Sequence, residues 1–109
     1  MKANHALSAL AALSQEHRLA AFRLLAQAGP AGLAAGQIAE ALGVPNSSLS
    51  FHLAQLAEAR LVEQCREGRS LIYSANFAAM QGLVDFLTEN CCGGADCSPA
   101  GAAPEIADQ

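Results

Sequence analysis

The chain has 109 residues, six Lys or Arg against ten Asp or Glu, and a formal net charge of −4. That length suits one domain with a modest core and is too short for two. No stretch approaches the roughly 18 uninterrupted apolar residues of a membrane span. The apolar residues are mostly Ala and Leu, a mixture that favours helices, and Met1–His5 shows no secretory pattern. A soluble, mainly helical, cytoplasmic protein without a membrane partner is expected. The negative balance opposes general attraction to phosphate, so any binding of nucleic acid must rest on where the few arginines stand.

The first helix is expected from about Asn4 to Leu13, with Leu7 and Leu10 three apart. Ser14 reads as the N-cap of a second helix, whose Leu19, Phe22, Leu25 and Ala26 form one buried stripe. Gly29-Pro30 and Gly32 end it. A short third helix spans about Ala35 to Leu42, facing Ile38, Ala41 and Leu42 inward. Gly43 stops it, Val44-Pro45 turns the chain, and a fourth helix starts near Asn46 or Ser47 and buries Leu49, Leu53 and Leu56. Two helices joined by so short a turn form a helix-turn-helix signature.

Two strand-like runs follow, Leu61 to Arg66 and Arg69 to Ser74, with Glu67-Gly68 between them as a hairpin turn. A hairpin in that place is a wing. A last helix covers about Asn76 to Asn90, and its Phe77, Met80, Leu83, Val84 and Leu87 make an apolar stripe long enough for a dimer contact. Ser98–Gln109, rich in Ala, Gly and Pro, lacks periodicity and is expected to be disordered. The fold class is therefore mainly α with a small β-hairpin, in the order α-α-α-α-β-β-α. A domain over residues 1–92 is followed by a cysteine-containing, largely disordered tail over residues 93–109.

The segment Ser47-Ser48-Leu49-Ser50-Phe51-His52-Leu53-Ala54-Gln55-Leu56 resembles the recognition helix of the arsenical-repressor (ArsR/SmtB) family, whose core reads Ser-x-His-Leu-x-x-Leu. Leu13 to Leu19 is similar to that family's approach to its second helix, and Leu61-Val62 with Arg66-Glu67-Gly68-Arg69 looks like its wing. The resemblance covers about residues 5–90. It implies a winged helix-turn-helix homodimer that binds twofold-symmetric operator DNA and lets go when a metal or metalloid binds.

The residues themselves suit that work. Ser47, Ser48, Ser50 and His52 are short or neutral donors near a helix N-terminus, where free N–H groups and the helix dipole favour an approaching phosphate. Gln55 is expected to reach a base edge and Gln37 to contact phosphate from the preceding helix, while Arg66 and Arg69 flank the wing turn. Serines at a helix start also serve as caps, and His52 also suits a half-buried position. Phe51 either meets a thymine methyl or packs, and packing is the favoured reading. With no Lys or Arg between Asn46 and Glu58, the salt dependence should be modest.

The family's familiar arsenic site, a Cys-x-Cys in the first helix of the helix-turn-helix, has no counterpart in Gly36–Leu42. Its zinc site on the last helix would need a His beside Asp85 and Glu89, and none is there. What the chain offers is Cys91, Cys92 and Cys97 around Gly93-Gly94. Thiolates select soft ions, and trivalent arsenic or antimony favours three sulfurs in a pyramid, so As(III) or Sb(III) is the expected inducer and no organic cofactor is expected. A subset of the family carries a similar adjacent pair plus a third Cys after its last helix. Cadmium, lead or mercury, with Cys65 or water as fourth ligand, and a disulfide from Cys97 to Cys91 or Cys92, are the alternatives. Cys65 itself reads as a small packing residue. No phosphate-binding loop or nucleophile–base pair appears, so no enzyme is expected.

Overall fold

The computed structural model describes residues 1–94. Helix α1 (Ala3–Leu13) and helix α2 (Glu16–Ala28) are followed by the two-residue strand β1 (Leu33–Ala34), helix α3 (Ala35–Leu42) and helix α4 (Asn46–Glu58). Strands β2 (Val62–Glu67) and β3 (Ser70–Ala75) precede helix α5 (Phe77–Leu87), and Cys91–Gly94 form a kinked turn in which Cys92 and Gly93 take left-handed backbone angles. The expected order holds, with β1 as an addition. It pairs antiparallel with β3 (Leu33↔Tyr73, Ala34↔Ile72), giving a sheet of order β1-β3-β2. Gly32 makes that pairing possible: its φ is +71°, and a Cβ there would collide with the Tyr73 carbonyl.

The core is one cluster to which every helix contributes. Its largest fully buried side chains are Leu25, Ile38, Leu49, Leu53, Leu56 and Leu61, each worth about 1.5–3 kcal/mol of transfer from water. Helix α4 buries Leu49, Leu53 and Leu56 as its spacing requires. Helix α1 packs through its alanines. It buries Ala6, Ala9 and Ala12 and turns Leu7 (67% exposed) and Leu10 outward. Small residues allow a helix axis to come close to its neighbour, so the leucine stripe is left for another surface. In α2 the buried set is Ala21, Phe22 and Leu25, with Leu19 exposed, and in α3 it is Ile38 and Ala39, with Ala41 exposed.

The cap of α2 also shifts by one residue. Ser14 closes α1, its Oγ donating to the Ala11 carbonyl (2.9 Å). Gln15 caps α2 instead, its Oε1 accepting from the His17 and Arg18 N–H groups (2.9 Å each). Helix α5 stops at Leu87, short of Asn90, and Thr88 Oγ1 donates back to the Val84 carbonyl (2.8 Å).

Candidate nucleic-acid interface

The turn between α3 and α4 is built from Gly43 and Pro45. Gly43 takes the left-handed conformation (φ 68°, ψ 32°), which allows the N–H of Val44 to reach the Ala39 carbonyl (3.1 Å) and close α3. Pro45 then holds the extended angles of an N-cap (φ −65°, ψ 150°) but offers no side-chain acceptor. None of the serines is the cap. The first-turn N–H groups of α4 therefore lack a capping side chain and suit an approaching phosphate oxygen.

Ser47, Ser48, Ser50 and Phe51 are all exposed on α4. Phe51 is 59% exposed, which corrects the expectation that it packs. Each helical residue turns about 100°, so position 51 falls roughly opposite the buried Leu49 and Leu53. His52 lies to one side and half inside. Its Nδ1 is 3.5 Å from Arg18 Nη1 and its ring centroid 5.5 Å from that of His17. Burial lowers its pKa below the usual imidazole value, and repulsion by Arg18 and His17 lowers it further. A neutral His52 is thus held against α2, and Arg18 is anchored in turn by its Nε donating to the Ala12 carbonyl (2.7 Å). These two α2 residues escaped the sequence reading because their partner is 34 positions from Arg18 and 35 from His17.

Gln55 is half-buried and lines a groove of about 300 Å³ with Ser8, Ala11, Ala12, Arg18, Glu58 and Ala59, between α1 and α4. Gln37 is exposed, but its Oε1 accepts from the Ala34 N–H (2.8 Å), so a phosphate contact would fall to its amide nitrogen.

The hairpin projects from the core. Only Val62 of β2 is buried, and the strands pair in register from Val62↔Ala75 to Glu67↔Ser70. The loop is Gly68-Arg69, one residue later than expected, with Gly68 at φ +63°. Arg66 and Arg69 are both exposed, on the last turns of the hairpin. Cys65 is exposed too, its Sγ 3.9 Å from the Arg66 carbonyl, which corrects the packing role expected for it.

The base of the hairpin is tied to α4. Arg60 adopts φ +66°, its N–H donates to the Ala57 carbonyl (2.9 Å) and the Leu61 N–H to the Leu56 carbonyl (3.0 Å). Asn76 Nδ2 then donates to the Arg60 carbonyl (2.9 Å). Recognition helix, reversal and hairpin are therefore one hydrogen-bonded unit. The fold is a winged helix-turn-helix.

Comparison with known proteins agrees. Residues 13–65 match a family described as a helix-turn-helix domain. An ArsR-like transcriptional regulator from Rhodococcus sp. RHA1 is 28% identical, with TM-score 0.72 over 84% of this chain and 83% of its own. HlyU from Vibrio cholerae N16961 is 26% identical, with TM-score 0.66 over 84% of this chain and 99% of its own. A homodimeric winged helix-turn-helix DNA-binding domain from Mycobacterium bovis, described as a possible ArsR-family regulator, is 26% identical, with TM-score 0.64 over 88% and 89%. These likenesses support the arsenical-repressor resemblance. No curated protein matches.

Of the three cysteines expected to hold an inducer, Cys91 and Cys92 are exposed at the chain end of the described region, their sulfurs 3.9 Å apart. Cys92 has φ +57° and is engaged in a disulfide. Cys97 and nearly all of the expected tail, residues 95–109, lie outside the described residues. Among the described residues no three His, Cys, Asp or Glu side chains converge as a metal site, and no helix is long and apolar enough to cross a membrane.

Proposed function

We propose that this chain is an arsenite- or antimonite-responsive transcriptional repressor of the arsenical-repressor type, binding operator DNA as a homodimer. The observation that carries the DNA reading is the outward face of α4, where Ser47, Ser48, Ser50 and Phe51 are exposed beside a wing bearing Arg66 and Arg69. The charge objection weakens on inspection. Three of the ten acids (Asp96, Glu105, Asp108) follow Gly94, so residues 1–94 hold six cations against seven acids, a net charge of −1. Pairing is supported by the exposed apolar residues Leu7 and Leu10 on α1 and Val84 and Leu87 on α5, together with the homodimeric relative.

The inducer reading rests on two sulfurs already 3.9 Å apart. Once an added thiol reductant has opened the Cys92 disulfide, arsenous acid would exchange its three hydroxyls for the sulfurs of Cys91, Cys92 and Cys97, each thiol proton leaving with a hydroxyl as water. Coupling of about 1–3 kcal/mol would weaken the operator complex about 5- to 150-fold. Reduced protein titrated with a twofold-symmetric DNA fragment should bind it and release it on adding arsenite. Cys91→Ser, Cys92→Ser and Cys97→Ser should each bind and fail to release. If all three still respond, the metalloid site is elsewhere.

A second reading, thiol-based redox control, is favoured by the engagement of Cys92 in a disulfide. On that reading diamide, which takes two electrons and two protons from a thiol pair, would release the DNA and arsenite would not.

A further inference from the structure

We infer that Phe51 is a specificity-determining residue, reading the 5-methyl group of a thymine in the major groove; this rests on the operator reading above. Helix α4 carries no Lys or Arg, so it lacks the side chains that take guanine bidentately. Its outward face holds hydroxyls and one large apolar group. Phe51 is 59% exposed, and its ring meets His52 edge-on, centroids 5.8 Å apart at 65°.

That contact limits where the ring can swing, because His52 is itself held by Arg18 and His17 from α2. An aromatic ring fixed on a recognition helix among serines has one apolar feature to meet on the floor of the major groove, the thymine methyl. The other large exposed apolar side chains of the helical bundle, Leu7, Leu10, Leu19, Val84 and Leu87, belong to α1, α2 and α5.

Burying one methyl in this way is worth about a fourfold change in affinity per half-site, hence about 15-fold for both half-sites of a dimer. The experiment begins with full-length reduced protein and a random-sequence duplex pool. A retained duplex is resynthesised with deoxyuridine at each thymine in turn, which deletes only the methyl. Wild-type protein should lose about fourfold at one thymine per half-site and about 15-fold when both are replaced. Phe51→Ala should bind the unmodified duplex about 15-fold more weakly and ignore those two replacements. Phe51→Leu, which keeps an apolar tip, should retain sensitivity to them.

A Phe51→Ala protein with the wild-type deoxyuridine-replacement profile would overturn the assignment while leaving the operator reading intact. A pool from which nothing is retained would overturn the operator reading, and this inference with it.

Discussion

Replacing Arg60 by Gly should make the protein more stable although it removes one of only six cations. Arg60 sits at φ +66°, where the Cβ of an L-residue crowds the following carbonyl. The left-handed conformation costs about 1–2 kcal/mol for such a residue, and the looser unfolded chain of a Gly variant returns about 0.4–1 kcal/mol of that. The three hydrogen bonds at this reversal use backbone N–H and C=O groups and the Asn76 amide, so the substitution keeps them all. The net gain is about 0.5–1 kcal/mol. With a urea slope of about 1.5 kcal/mol/M, the unfolding midpoint should rise by roughly half a molar. The measurement needs one fixed protein concentration, because the stability of the dimer proposed above would depend on it. Arg60→Ala keeps the Cβ and should stay within about 0.5 kcal/mol of wild type. If both variants fall by 1 kcal/mol or more, the Arg60 side chain itself supports the groove it lines with His5, Glu58 and Asn76, and the strain argument fails.

Gly32→Ala should destabilise by about 2 kcal/mol or more, since it adds a forced φ to a collision with the Tyr73 carbonyl; an unchanged urea midpoint would contradict this. On the proposed dimeric, operator-binding reading, Arg69→Gln removes two wing cations per complex and should reduce the slope of log K against log salt by about 1.8. A slope equal to wild type would mean that Arg69 stands away from phosphate. His52 has its pKa lowered by burial, then by Arg18 and His17. The unfolded chain therefore takes up a proton near pH 6.5 that the folded chain refuses, and stability falls as pH drops from 6.5 through the lower folded value. The urea midpoint of His52→Gln should lose less than that of wild type between pH 7.5 and 5.5, and equal losses would contradict the placement of His52 against α2.

The helix-turn-helix was readable because Leu49, Leu53 and Leu56 repeat at helical spacing and Gly43-Pro45 punctuate the turn. The same arithmetic contained the exposure of Phe51, two residues from Leu49 and two from Leu53. Likewise, side chains alternate along a strand, so a buried Val62 sends Cys65 outward. Other features carried no local signal. In α1 an alanine stripe and a leucine stripe both fit the period, and the approach distance to the neighbouring helices selects the alanines. Strand β1 has two residues, too few for any periodicity, and exists because β3 offers an edge. The contacts of His52 with His17 and Arg18 join residues far apart in sequence. Cys91 and Cys92 were visible as a pair, whereas the role of a third sulfur depends on residues beyond Gly94.

The alanine stripe of α1 has a consequence for how such a protein would persist in a cell. By pressing its smallest side chains inward, the first helix leaves Leu7 and Leu10 showing to water on the single chain. In the paired state proposed above those leucines vanish from view, so proteases and chaperones compete with dimerisation for the same greasy strip. Scarce chains would be cleared fastest, and abundance would feed back on lifetime without any dedicated degradation signal.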